Sequence, residues 1–311
     1  MLLCRLCLLV AISLMSTPTF ASAREFTLTI DDPHLLSHPS KDPRARLSPQ
    51  QRDLRILQHL KRSGKKALLF VCGKRVHSPD GKKLLQRWVN NGHFLGNHSW
   101  SHLYFHSRRV SLKRFQRDFL RNHQMLKGFS NVLPLFRFPY LKEGNTLLKR
   151  DGMRQTLRSR RIQNGYVTVD ASDWYVDQKL RQWVKHRKNV PLHRFRSYYL
   201  NHMWDRAQYY DGLAKRLGFK QVRHTLLIHH NLLNALFLGD LLRHFQKKGW
   251  RLVDANKVYQ TSQFPKEPQR LPSGESILWS LAKQRGLKGL RYPAEDGRYE
   301  KNALRQWLKA R

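Results

Sequence analysis

Short apolar runs recur along this chain, separated by stretches of helical spacing, and they end on acids, histidines or other polar residues. That alternation restricts the available folds more than any other feature. From Glu25 the order F-T-L-T-I alternates apolar and polar residues with period two and stops at Asp31 and Asp32, a strand with acids at its carboxyl end. Leu54 to Leu60 has helical spacing, closes near Ser63-Gly64, and gives way to the buried-strand run A-L-L-F-V-C at 67–72. The pattern repeats with a helix over Gly81 to Asn91, a short strand over His93 to Gly96 and an amphipathic helix over Ser111 to Phe129. Further strands are expected at Leu133–Phe138, Tyr166–Val169, Thr225–His229 and Trp250–Val253. Repeated strand–helix units imply an α/β fold with a mostly parallel sheet and helices outside, closed as a barrel or open. In both versions catalytic residues collect at the carboxyl ends of the strands.

Two stretches break the alternation. Residues 178–220 show no strand signal, and Tyr198 to Leu217 is rich in aromatic and basic residues at helical spacing, which predicts an outer helical excursion with Trp204, Tyr209 and Tyr210 as packing residues. Beyond Tyr259 the run T-S-Q-F-P-K-E-P-Q-R-L-P-S-G is turn-rich and precedes a helix around Ser276 to Arg285, so 261–311 reads as a small C-terminal appendage. No internal repeat or long low-complexity tract is present.

The first residues suggest where the protein works. Arg5 precedes the run L-C-L-L-V-A-I-S-L-M, Pro18 breaks it, and Ala21-Ser22-Ala23 supplies the small residues of a cleavage site. Residues 1–23 therefore read as a signal peptide and the mature chain as secreted or periplasmic, with the main domain over 24–260. No later segment approaches eighteen apolar residues, so no membrane span is expected after cleavage. Of the three cysteines only Cys72 survives cleavage, which excludes an intrachain disulfide. Fifty-nine Lys and Arg against 21 Asp and Glu leave a formal net charge of +38. Such an excess calls for a polyanionic neighbour: nucleic acid, anionic lipid or an acidic envelope polymer. Export argues against nucleic acid as the physiological target, so no nucleic-acid partner is expected, and the scatter of basic residues suits a diffusely basic surface better than a nucleic-acid helix.

The polar strand ends carry the chemistry. Asp31 and Asp32 are adjacent, so in an extended chain their side chains leave opposite faces, one free for a cation and the other for a substrate; a helix N-cap is the plainer reading of such a pair. In G-N-H-S-W-S-H, His98 and His102 lie four apart, which on a helical turn points both imidazoles the same way. Two neutral imidazoles and a carboxylate form a three-ligand set with an open position, as catalytic zinc and related metals require. With 16 histidines in the chain, some spacings of four arise by chance, so the strand-end acid is what favours a metal site. In F-R-F-P-Y, Arg137 could pair with Asp31 to hold its orientation and keep its pKa low, or could be a surface residue before a turn. Asp170 and Asp173 end another predicted strand beside Trp174, and His229 closes the run T-L-L-I-H where a proton donor would face a cavity.

Together these segments resemble the polysaccharide deacetylase family, also called the NodB homology domain or carbohydrate esterase family four. L-T-I-D-D, N-H-S-W-S-H, R-F-P-Y, D-A-S-D-W and L-L-I-H match its five ordered motifs between about Glu25 and Lys257. Pro33 stands where many members have Gly, and His230 where Asp often follows the motif histidine; His229 is taken as the substrate-facing one. The resemblance implies a distorted (β/α) barrel of about seven parallel strands. It further implies that Asp32, His98 and His102 hold a divalent metal, zinc being the expected ion, and that Asp31 deprotonates water at that metal. The backbone N–H of Tyr140 would help stabilise the oxyanion, His229 would protonate the departing amine, and Arg137 would orient Asp31. Asp173 would pair with His229 or with Arg137, and Trp174 would line the groove near the acetyl methyl group. The expected activity is removal of acetyl from N-acetylated sugars of an envelope or extracellular polysaccharide. An O-acetyl esterase of the same fold and a non-catalytic module binding a glycan or polyanion are the alternatives.

Overall fold

The computed structural model describes residues 23–260, 263–264, 267–294 and 297–309. Apart from Ala23, the expected signal peptide lies outside the described residues. The chain runs β1 (Arg24–Asp31), α1 (Pro49–Ser63), β2 (Leu68–Val71), α2 (Gly73–Val76), α3 (Pro79–Asn90) and β3 (Phe94–Asn97). Next come α4 (Leu112–Leu126), β4 (Val132–Phe136), β5 (Lys142–Gly144), α5 (Leu147–Arg158) and β6 (Gln163–Asn164). There follow α6 (Asp173–His186), α7 (Leu192–Arg216), β7 (His224–His229), α8 (Leu232–Lys247), β8 (Trp250–Leu252) and α9 (Ala255–Tyr259), then β9 (Ser273–Gly274), α10 (Ile277–Gln284) and α11 (Arg298–Lys309).

Six strands pair in parallel in the order β6-β4-β3-β2-β1-β7, and β8 adds to β1 at Arg24–Phe26. Residues 163–169 join the two edges: β6 pairs with β4, the Gly165 N–H reaches the Phe136 carbonyl at 2.7 Å, and Val169 bridges Leu226 of β7. The sheet is thereby curled into a distorted α/β barrel. The strand expected at Tyr166–Val169 is only that one bridge, because this segment crosses between two edges and takes many of its hydrogen bonds from side chains, as in the mutual Thr168–Thr225 contacts. Asp173, expected at a strand end, instead opens α6.

The period-two pattern of β1 does not mark a solvated face, since every residue from Glu25 to Asp31 is buried. Phe26, Leu28 and Ile30 join the main core with the surrounding helices. Thr29 faces the other way and donates to the Leu226 carbonyl at 3.1 Å, so its polar atom is satisfied inside the barrel. α1 starts with a capping box in which Ser48 and Gln51 satisfy each other's backbone N–H groups, and it stops at Gly64, whose φ of 65° suits a residue without Cβ. The outer excursion is the 25-residue α7, where Tyr210 is fully buried and the Trp204 ring packs 5.5 Å from that of Phe245. β9 pairs with β5, the Ile277 N–H donates to the Val167 carbonyl at 2.9 Å, and Leu278, Leu281, Leu304 and Leu308 enter the main core.

One buried polar junction ties α1 and α3 to the end of β7. Asp53 accepts from Trp88 Nε1 at 2.8 Å, Arg87 Nη2 at 2.9 Å and His230 Nε2 at 3.1 Å, and is itself fully buried. Asp53→Ala leaves two buried donors without an acceptor and is expected to cost about 3–5 kcal/mol. Urea unfolding checks this as a lower midpoint at unchanged m value; a midpoint equal to that of the parent protein contradicts it.

Candidate active site

The carboxyl ends of neighbouring strands bring the predicted residues to one cleft. Asp31 and His229 stand opposite each other in the parallel β1–β7 register, while His98 directly follows β3 and Arg137 directly follows β4. A cleft of about 250 Å³ is lined by Asp31, Asp32, His98, His102, Tyr140, Trp174 and His229, with Arg75 at its side. Arg137 and Asp173 lie behind this wall, both fully buried.

Two expectations about local geometry give way to a different device. Asp31 and Asp32 do not diverge as in an extended strand, because Asp32 has a φ of 62° and turns its carboxylate back toward the site. His98 and His102 do not sit on a helical turn. Ser99 and His102, with φ of 63° and 56°, fold the loop so that the imidazole rings lie 4.9 Å apart. Left-handed conformations in residues other than glycine cost on the order of 1 kcal/mol each, so the surroundings must hold them. Here Asn97 Oδ1 accepts from the Ser99 N–H at 2.8 Å, Ser99 Oγ accepts from the His102 N–H at 3.1 Å, and Asn122 locks Asn97 at 2.8 Å.

Asp32, His98 and His102 can each present one ligand atom, all within 4.8 Å of one another, and form the only such group among the described residues. Their environment suits a cation. Asp32 Oδ1 is buried with no hydrogen-bond partner. His98 Nδ1 is engaged by the Arg137 carbonyl at 2.8 Å, which leaves Nε2 facing the cleft. Burial lowers both imidazoles to a pKa of about 4, so each keeps a free lone pair at neutral pH. Burial works to raise the Asp32 carboxyl, but His102, Arg75 and His98 outweigh it and hold it well below the usual carboxylate range. Arg75 Nη1 lies 3.0 Å from Asp32 Oδ2.

Two further pairs flank this group. Arg137 donates from Nη1 to Asp31 Oδ1 at 2.7 Å and to Thr29 Oγ1 at 2.9 Å, and its Nε is held by the Gly165 carbonyl at 2.8 Å. The guanidinium lies 4.0 Å over the Phe70 ring, which fits only because Gly96 and Gly165 lack side chains: a Cβ there would stand 2.7 Å and 2.3 Å from that ring. Arg137 was expected to keep the Asp31 pKa low. It does pull downward, but burial outweighs it and the net shift is upward. Asp173 pairs with His229 and not with Arg137. Its Oδ1 lies 2.8 Å from His229 Nδ1, and Oδ2 accepts from the His229 N–H, Asn231 Nδ2 and Asn234 Nδ2 at 2.9, 3.0 and 2.8 Å. Burial opposes charge on His229, yet Asp173 first and Asp31 next raise it to about 10.

Of the two histidines after β7, His229 faces the cleft and His230 turns away to Asp53. Tyr140 stands at the rim with φ of 56° and its ring 4.6 Å from that of His102, while Trp174 donates from Nε1 to the Ala294 carbonyl at 3.2 Å. Arg75, Asn231 and Asn234 were missed. Arg75 follows the 67–72 strand run, so the strand-end logic that found Asp31 also pointed to it. The asparagines announce themselves only through folding, since they act on Asp173 from more than fifty residues away.

Residues 22–156 match the family model described as polysaccharide deacetylase. Among solved structures, a mutant of a Bacillus anthracis CE4 family pseudoenzyme with restored enzymatic activity is similar at a TM-score of 0.50 and 17% identity, over 76% of this chain and 67% of that one. A Bdellovibrio bacteriovorus peptidoglycan deacetylase is similar at a TM-score of 0.50 and 20% identity, over 79% of this chain and 57% of that one. At these identities the structural likeness establishes the fold, a NodB-like distorted barrel.

Proposed function

We propose that this chain, whose residues 22–156 match the polysaccharide deacetylase family model, is a metal-dependent hydrolase that removes acetyl groups from N-acetylated sugars of an envelope or extracellular polysaccharide. The observation that carries the reading is the placement of two differently supported groups, Asp31 on Arg137 and His229 on Asp173, beside one cluster able to hold a cation. Asp32, His98 and His102 would hold the divalent ion, with zinc the expected one for two imidazoles and a carboxylate. When bound, such an ion polarises the acetyl carbonyl and makes water a better nucleophile.

The protein groups supply the remaining steps. Asp31, oriented by Arg137, accepts the proton of the attacking water. His229, held as an imidazolium by Asp173, donates a proton to the leaving nitrogen. A poor amine leaving group depends on that proton far more than an alkoxide does, which favours amide over ester substrates. The Tyr140 backbone N–H serves the developing oxyanion, and Trp174 lines the cleft where the acetyl methyl would lie.

The reading further takes residues 1–23 as a signal peptide, 24–260 as the catalytic domain and 261–311 as an appendage, with a secreted or periplasmic product. Among the described residues no helix is long and apolar enough to cross a membrane. Peptidoglycan, the substrate named for the Bdellovibrio relative, is the first polymer to try. Acetate release from peptidoglycan and from N-acetylglucosamine oligomers should stop with a chelator and return when zinc is restored. Release from O-acetylated polymer alone would turn the reading to the esterase, and no release from any of these would leave the binding module.

The +38 charge is assigned to retention on an anionic envelope polymer. Retention on whole envelope material should then collapse between physiological and 1 M salt, where screening shortens from about 8 Å to about 3 Å, while turnover of a short neutral oligomer stays nearly constant. Retention that persists at 1 M salt contradicts the electrostatic account.

A further inference from the structure

We infer that a groove between α7 and the C-terminal segment binds a neutral stretch of polysaccharide several sugars away from the reacting one. The inference rests on the substrate class proposed above. The groove has a volume of about 570 Å³ and is walled by Tyr198, Tyr292, Tyr299 and Trp307. Tyr292 and Tyr299 stack at 4.4 Å and 18°, and the Trp307 ring stands 6.0 Å from that of Tyr198. Tyr198 is buried at the base, and the other three residues are left open to solvent, Tyr292 by 46%, Tyr299 by 57% and Trp307 by 39%. Such a concentration of exposed aromatic area marks a binding surface more often than chance packing.

The chemistry of the walls selects the occupant. Aromatic rings offer flat apolar faces with polar tips, a match for a sugar ring, which has an apolar face and a rim of hydroxyls. The charged groups cancel in pairs: Arg206 Nη2 lies 2.7 Å from Glu300 Oε1, and Arg291 pairs with Asp205. In a chain of net charge +38, a groove whose ions are mutually neutralised is poorly suited to a polyanion and well suited to a neutral hydroxylated ligand.

Hydrogen bonds through a buried wall tie the groove to the elements that build the catalytic cleft. Arg206 Nη1 donates to the Tyr292 carbonyl at 3.1 Å. Two residues on, the Ala294 carbonyl accepts from Trp174 Nε1 and from Ser172 Oγ, both at 3.2 Å. His202 in the groove accepts from the Ser172 N–H at 3.0 Å. Ser172 immediately precedes Asp173, which holds His229. The segment at Ser172–Trp174 therefore supports the cleft on one side and the aromatic groove on the other.

The test separates binding from chemistry. Calorimetric titration with the β-1,4-linked N-acetylglucosamine hexamer uses full-length protein made catalytically silent by Asp31→Asn, with and without Tyr299→Ala/Trp307→Ala. The double change should weaken hexamer binding by about tenfold or more, as loss of aromatic anchors does, and in the Asp31 parent it should lower kcat/KM for the hexamer while leaving the dimer within about twofold. Tyr292→Ala/Tyr299→Ala, which leaves Trp307 in place, should act in the same direction and guards against loss of α11 packing. Unchanged hexamer binding, or equal losses on dimer and hexamer, overturns the inference. So does a wild-type dimer in sedimentation that the double change dissolves, because the groove would then be an interface between copies. If no substrate yields acetate, the reaction proposed above falls while hexamer binding to the Asp31→Asn protein still decides the groove.

Discussion

Alanine at His98 or at His102 leaves a cation with two protein ligands, and metal affinity is expected to fall by more than about 100-fold, since even an outer-shell partner costs 10–100-fold when removed. Acetate release falls with it to near background. The fold should hold, because each change removes one ring from the cleft wall, His98 from the Arg137 carbonyl and His102 from the Tyr140 ring, and leaves every strand and helix intact; metal analysis and circular dichroism on the same samples separate loss of ion from loss of structure. A His98→Ala protein that retains one equivalent of zinc and normal turnover removes Asp32, His98 and His102 as the site.

Asp31→Asn is expected to leave the metal in place and lower kcat by roughly 10²–10⁴, the usual contribution of a general base. The amide keeps an oxygen for Arg137 Nη1 but can no longer take a proton from water. Arg137 is buried, and with the carboxylate gone it lacks an ionic partner. A moderate drop in thermal stability should therefore accompany the kinetic loss. Zinc content measured beside kcat decides the matter. If metal and activity vanish together, Asp31 is a ligand, and its role has been exchanged with that of Asp32, whose own Asn variant should lose metal first.

Strands β1, β2, β3, β4, β7 and β8, the presence of α1, α3 and α4, and the polar strand ends are legible in the sequence because each depends on local spacing, whereas the short β5, β6 and β9 carry no such signal. Period two and period 3.6 are properties of neighbouring residues, and Gly64 ends α1 without reference to anything distant, while the helix begins at Pro49, ahead of the run expected from Leu54. The order of motifs from Asp31 to His229 likewise survives as a linear signal, so the site's membership could be anticipated.

Other features could be known only from the tertiary structure. Whether Asp32 diverges from Asp31 or joins it depends on one left-handed residue, and whether His98 and His102 converge depends on two, Ser99 and His102. Asn97 and Asn122 pay for those conformations from positions a helical or extended reading does not connect. The sequence leaves the partner of Asp173 open between His229 and Arg137; the start of α6 at Asp173 aims that carboxylate at the end of β7. Arg137 was expected to lower the Asp31 pKa, but the sign is set by burial in the barrel, which no residue order reveals. The C-terminal segment shows the same limit: turn-rich composition marks it as separate, while its leucines enter the common core and its aromatics line the groove beside α7. Sequence periodicity reports which face of an element is apolar. What covers that face, and what burial then does to the charges beneath it, depends on residues brought together from far along the chain.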